Sequence, residues 1–196
     1  MIDVAFAILA GGNGTRIGGR KPHVQLANRP MIAHVADSLG RPLGVVGDTE
    51  AAEIVSATPL MDKAFDDAHG PLLGINAALA WGRSIAAGYV MITPCDCPLL
   101  PSDITERLLS EIRDEACACI RTTKGPEPLI SLWSTELADS IDAILKSGKH
   151  PPLHHLLGNL GTAEVRLPED RHALNVNTME DLAEAEIMLT SLYRGD

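Results

Sequence analysis

At 196 residues the chain is long enough to bury a core without disulfide or metal staples, and its length suggests one domain, 1–196. Sixteen basic against twenty-six acidic side chains give a formal charge of −10, which argues against nucleic-acid or anionic-membrane partners. Hydrophobic residues make up 45% and aromatics only 3%, so Ala, Leu and Ile must build the core of an ordinary globular protein.

Ile2 to Ala10 is an apolar run interrupted only by Asp3 and cut off by Gly11-Gly12, the pattern of a buried parallel strand. From Pro30 to Leu39, Met31, Ile32, Val35, Ala36 and Leu39 recur at helical spacing, and the run from Leu43 to Gly47 reads as a second strand. Thr49 to Ala57 is helical by the composition of Glu50, Ala51, Ala52 and Glu53, opening on an incomplete capping box with Thr49 as its cap. Leu72 to Ala86 forms a helix introduced by Gly70-Pro71, and Tyr89 to Thr93 a strand. That strand ends in Pro94-Cys95-Asp96-Cys97-Pro98, which puts an acid at its carboxyl end. Ser102 and Asp103 cap a helix through Arg113; Ala116 to Thr122 and Ile130 to Trp133 are strands. A helix over Leu137 to Leu145 stops at Gly148, His150-Pro151-Pro152 starts a short one, and Ala163 to Leu167 is a strand. Thr178 caps a last helix to Leu192.

Strands alternating with helices predict an α/β fold: one doubly wound, Rossmann-like, mostly parallel sheet with helices on both faces and its ligands outside the strands' carboxyl ends. No repeat, low-complexity tract or linker divides the chain. No apolar run approaches the roughly 18 residues of a membrane span, and no basic region precedes the first apolar stretch, so a cytoplasmic protein with reduced thiols is expected. Cys95, Cys97, Cys117 and Cys119 lack the Cys-x-x-Cys spacing of zinc sites and read as small buried hydrophobes. Trp81 and Trp133 fall at core positions, and His150, His154 and His155 line either a pocket or an exposed turn.

The loop after the first strand, from Leu9 to Pro22, holds five glycines with Arg16, Arg20 and Lys21. Such a loop lets backbone N–H groups approach an anion and supplies positive charge that the acidic chain otherwise lacks. It fits neither the dinucleotide fingerprint, because Ile17 replaces the third glycine, nor the Walker loop, which needs Gly-Lys-Ser/Thr. A surface turn is the plain alternative for the loop alone.

The order Leu9-Ala10-Gly11-Gly12, Arg16, Gly18-Gly19, Lys21 and Arg29-Pro30-Met31 resembles the amino-terminal signature of nucleotidyltransferases. With Gly70-Pro71-Leu72-Leu73-Gly74, Pro94-Cys95-Asp96-Cys97-Pro98 and Asn175-Val176-Asn177-Thr178, nearly the whole chain resembles the molybdenum cofactor guanylyltransferase family. The resemblance implies transfer of GMP from GTP to molybdopterin with release of pyrophosphate. GTP and molybdopterin would be substrates, Mg²⁺ or Mn²⁺ the metal, and molybdoenzymes or their chaperones transient contacts. Residue by residue it implies nucleotide contacts at Leu9, Ala10, Gly11 and Gly12, with Asp66 or Asp67 as a further one. It implies a phosphate lysine at Lys21, a metal-binding aspartate at Asp96, and pterin-side asparagines at Asn175 and Asn177. Arg16, Lys21 and Asp96 would be the catalytic set.

Two departures stand out: the segment Gly18-Gly19-Arg20-Lys21-Pro22 is one residue shorter than the family pattern and lacks its Asp, and Gly47 replaces a nucleotide-contacting asparagine. The same residues leave open a cytidylyl- or sugar-phosphate nucleotidyltransferase, or a non-catalytic homologue that binds nucleotide or molybdopterin. Asn175 and Asn177, two apart in an extended segment, point to one face and serve equally well as site residues or as part of the last helix's cap.

Overall fold

The computed structural model describes residues 3–11, 17, 19–61, 70–167 and 169–194. Strand β1 (Val4–Leu9) leads, through the small hairpin of β2 (Gln25–Leu26) and β3 (Arg29–Pro30), into helix α1 (Met31–Asp37) and strand β4 (Leu43–Val46). Helix α2 (Thr49–Ile54), strand β5 (Thr58–Leu60), helix α3 (Pro71–Ser84) and strand β6 (Tyr89–Pro94) follow. Then come α4 (Ile104–Glu111), β7 (Cys117–Thr122), β8 (Gly125–Ser134), α5 (Ala138–Lys146), α6 (Leu153–Asn159), β9 (Ala163–Arg166) and α7 (Met179–Arg194).

Seven strands form one sheet in the order β5-β4-β1-β6-β8-β7-β9, parallel except for β8, which runs antiparallel to both neighbours. The expected mostly parallel sheet is thus present. Side-chain alternation sends Ala5, Ala7, Val90, Ile92, Cys117 and Cys119 to one face, under α3, α5 and α6. Ile8, Met91, Ala118 and Ile120 go to the other, under α1, α2 and α4. Helix α7 packs Ala185 and Leu189 on Leu26, Met31, Leu99 and Val176. Among the described residues no helix is long and apolar enough to cross a membrane.

Three elements differ from the expectation. The short strand β5 was hidden by Pro59, a residue that an edge strand tolerates. The strand expected over Ile130 to Trp133 begins five residues earlier, at Gly125, where Pro126 and Pro128 suppress the strand pattern. There the register on β7 jumps from Cys119/Ser131 to Ile120/Glu127, leaving residues 128–130 in a bulge. The cap of α2 is Asp48, whose carboxylate accepts the Ala51 N–H at 3.0 Å, and not Thr49.

The four thiols are buried in three separate packing clusters, Cys117 and Cys119 together and Cys95 and Cys97 each apart. Burial pushes Cys95 up to about 12 and Cys119 to about 11, so they are neutral packing groups at physiological pH. Trp133 is fully buried and donates its indole N–H to Ser131 Oγ at 2.8 Å, whereas Trp81 is only partly buried against the same core.

Helix α3 lies close on the sheet because Gly82 has no side chain: a Cβ there would stand 2.4 Å from Val90 Cγ2 and 3.2 Å from Thr135 Cγ2. Both neighbours are β-branched and buried, so neither swings away. Gly82→Ala is therefore expected to destabilise the protein by about 1–2 kcal/mol despite alanine's better helix propensity. Equilibrium denaturation checks it, and an unchanged or raised midpoint would mean that α3 shifts outward at no cost.

Candidate active site

Strand β1 has β4 on one side, to which the chain turns first, and β6 on the other. A crevice at the carboxyl ends of such strands is where open α/β sheets take their ligands. Backbone contacts fix its floor: the Ala10 N–H donates to the Val46 carbonyl at 2.9 Å, and the Cys95 N–H to the Leu9 carbonyl at 3.1 Å. Ala10 is buried and Gly11 exposed.

Gly47, at the end of β4, has φ +88°, and a Cβ on it would stand 3.3 Å from the Gly11 nitrogen. The position that departs from the family's asparagine is thus one where a side chain would be strained and would crowd the β1 turn.

A one-turn 3₁₀ helix, Lys21–His23, holds Lys21 over the crevice. Its ammonium donates to Asp96 Oδ2 at 2.6 Å and to Asn177 Oδ1 at 2.5 Å, joining residues from three distant parts of the chain. Asp96 is 8% exposed, in the turn after β6. The Val176 N–H donates to the Asp96 carbonyl at 2.8 Å, and the Cys97 thiol to Asn175 Oδ1 at 3.1 Å, so the asparagine segment is laid along this turn from the other side. Lys21, Asp96, Asn175 and Asn177, proposed from sequence, are brought together.

Asp96 Oδ1 is buried and has no hydrogen-bond partner among the described residues. A carboxylate oxygen left in that state suits a hard divalent cation that takes one or two protein carboxylates and completes its shell with water and phosphate oxygens. Elsewhere among the described residues, ligand atoms of His23, Asp48 and Glu50 lie within 4.8 Å of one another. The Arg20 guanidinium already occupies that cluster, 2.5 Å from Asp48 Oδ1 and from Glu50 Oε2.

Sequence reasoning missed Arg20, His23 and Asp48. His23 Nε2 lies 3.0 Å from Asp48 Oδ2, so the residue before Lys21 and the one two after it both grip the cap of α2. The signal was available, because Asp48 follows β4 as Asp96 follows β6. Where the family pattern has an Asp before the lysine, Arg20 here pairs with acids on the neighbouring helix.

Of the two asparagines, Asn177 takes part in the cap of the last helix through its backbone, while its side chain turns to Lys21. The Asn177 side chain takes Lys21, while its N–H and that of Thr178 donate to Asp181 Oδ2 at 2.9 Å each. Thr178 Oγ1 accepts the Asp181 N–H at 3.1 Å, completing a capping box on α7. His154 and His155 are exposed on α6. The proposed residues Gly12, Arg16, Asp66 and Asp67 lie outside the described residues.

The sequence matches the MobA-like NTP transferase domain over residues 6–165. A molybdenum cofactor guanylyltransferase from Cereibacter sphaeroides is 31% identical over 185 residues, covering 93% of this chain and 95% of the relative. One from Rhizobium leguminosarum bv. trifolii is 29% identical over 202 residues, covering 97% and 95%. Among solved structures, molybdopterin-guanine dinucleotide biosynthesis protein A from Archaeoglobus fulgidus shares the fold, with a TM-score of 0.77 at 24% identity over 95% of this chain and 99% of that one.

Burial alone pushes the Asp48 carboxyl up, but the Ala51 N–H, Arg20 and His23 together hold it below the usual carboxylate value. A depressed carboxyl stabilises the fold above its unfolded pKa of about 4, and the contribution is lost as pH falls through the folded value. Asp48→Asn keeps a capping oxygen and removes the charge, so it is expected to cost roughly 1 kcal/mol at neutral pH. In denaturation from pH 7 to pH 2 the gap to the natural chain should close in acid; a constant gap would assign the loss to something other than charge.

Proposed function

The chain belongs to the MobA-like NTP transferase family, and we propose that it transfers GMP from GTP to molybdopterin, releasing pyrophosphate and forming the guanine dinucleotide cofactor. The observation that carries this reading is the Lys21–Asp96–Asn177 cluster beside the β1 turn, in a chain whose relatives are named molybdenum cofactor guanylyltransferase. The product would pass on to molybdoenzymes or their chaperones.

In this reaction an oxygen of the acceptor's terminal phosphate forms a bond to the α-phosphorus of GTP, and the bond to the bridging oxygen of pyrophosphate breaks in line. The leaving pyrophosphate keeps the electron pair. The attacking oxygen is already ionised, so no protein base is needed, and the protein's task is alignment and charge compensation.

Leu9, Ala10, Gly11 and Gly12 would supply backbone approach to the nucleotide, with Asp66 or Asp67 as a further nucleotide contact. Lys21, with Arg16, offsets charge on the phosphates as pyrophosphate departs. Asp96, with its unshared Oδ1, is the residue that would hold Mg²⁺ or Mn²⁺, which when bound supplies charge neutralisation at the phosphate oxygens. Asn177, held by Lys21 on one side and by the α7 cap on the other, and Asn175 beside it, face the acceptor.

Incubation with GTP, Mg²⁺ and molybdopterin, followed by detection of the guanine dinucleotide and pyrophosphate, tests the reading. Transfer from CTP in preference to GTP would move the protein to the cytidylyl branch, and transfer from neither would overturn it. Asp96→Ala is expected to lower kcat/KM at least about a hundredfold while the circular dichroism spectrum shows the fold retained; full activity in that variant would remove Asp96 from the site. Lys21→Ala should weaken GTP binding by roughly ten- to a hundredfold in calorimetry, the scale of a hydrogen bond to a charged group. An unchanged affinity would place the lysine's role elsewhere.

A further inference from the structure

Strand β8 lies on the far side of β6 from β1, and its first residues outrun β6: the β6–β8 pairing reaches only Ile92/Ser131, whereas Glu127 pairs with Ile120 of β7. The carboxyl end of β6 is thus flanked by the β1 turn on one side and by the β7–β8 hairpin on the other. Glu127 stands at that second flank, half-buried, just before the bulge.

Its pairing with Ile120 puts its side chain on the face of the sheet where Ile120 and Cys97 pack, Cys97 being the residue after Asp96. There the Cys97 thiol donates to Asn175 Oδ1 at 3.1 Å, which ties this face to the asparagine segment. The Thr122 hydroxyl, which donates to the Gly125 carbonyl at 3.1 Å, favours the ionised form of the nearby Glu127 carboxyl. Lys124 and Asp170 act on it by charge without an ion pair in contact. Burial, the largest influence, raises its pKa above the ordinary glutamate value.

A half-buried carboxylate is costly to hold without N–H donors around it, so one retained beside a ligand crevice is suited to donors that the ligand brings. Of the proposed acceptor's parts, the phosphate repels a carboxylate. The pterin ring offers an amidine-like edge, a ring N–H beside an exocyclic amine, which matches the two oxygens of a carboxylate as a guanidinium does.

The geometry points to Glu127 as the residue that reads the acceptor: its carboxylate takes the paired N–H donors of the 2-amino-4-oxopyrimidine edge of the pterin, while Lys21, Asp96 and Asn177 govern the phosphate end. This rests on molybdopterin being the acceptor. Guanine carries the same kind of edge; the inference assigns Glu127 to the acceptor and not to the base of GTP, whose proposed contacts lie at the end of β1, on the other side of β6.

The test is direct binding, independent of turnover: molybdopterin by its own fluorescence and GTP by calorimetry, for the natural chain, Glu127→Gln and Glu127→Asp. Glu127→Gln is expected to weaken molybdopterin binding by about tenfold or more, with GTP affinity and unfolding midpoint unchanged, and Glu127→Asp to recover part of the loss. The natural chain should also prefer 6-hydroxymethylpterin to its 2-oxo counterpart, and Glu127→Gln should lose that preference. Equal molybdopterin affinity in both chains, or a loss in GTP affinity instead, overturns the inference. Molybdopterin binding that depends on Glu127 without GMP transfer would leave it standing and remove the proposed reaction. GTP binding with no molybdopterin binding by the natural chain would remove the acceptor and this role together.

Discussion

One ammonium group organises the crevice. Lys21 reaches a carboxylate 75 residues away and an amide 156 residues away, and both contacts are within hydrogen-bonding distance. Asp96 is too buried to be left without a counter-charge at modest cost, and Lys21 supplies it. That one tie sets the position of the turn after β6, the extended segment before α7 and the 3₁₀ turn after the glycine loop relative to one another. Arg20 and His23, one before and two after it, extend the tie to α2 through Asp48, so three other segments are fixed around the turn that carries Lys21.

The sheet divides the work of the crevice by direction. On the β4–β1 side the strands are parallel, and their carboxyl ends offer backbone and glycine: the Leu9–Gly11 turn and Gly47 approach each other without side chains between them. Across β6, the antiparallel β8 brings a hairpin with Glu127 to the same end, and the segment of Asn175 and Asn177 lies along the turn after β6, so this region offers side chains instead. A polyphosphate suits the first kind of surface and a heterocycle with several donors suits the second. Asn177 belongs to both structure and site, since its backbone helps to start α7 while its amide oxygen holds the lysine.

Much of this was legible in the sequence because it rests on local pattern. The buried strands announce themselves as short apolar runs, and Asp96 and Lys21 stand out as charges at a strand end and in a glycine loop. What stayed hidden depended on distant partners. Arg20 was one cation among three until Asp48 and Glu50 were placed beside it. Glu127, between two prolines, carried no strand signal, because its strand is held by neighbours and by a bulge and not by its own periodicity. Thr49 was a reasonable cap by type; the residue before it took the role because its carboxylate also meets Arg20 and His23.

The position of β8 has a further consequence for how the chain comes to be made. After β6 sheet order departs from chain order a second time: the next strand to be synthesised, β7, does not pair with it, and β8 must insert between the two. Until residue 134 has left the ribosome, β6 is an open edge carrying Val90, Met91 and Ile92, the kind of edge on which chains aggregate. The half of the crevice formed by β1 and β4 is by then already encoded in the emerged chain, and the β7–β8 hairpin and the asparagine segment arrive later. During synthesis the protein therefore passes through a stage with one wall of its crevice in place and an unprotected apolar strand where the other will dock.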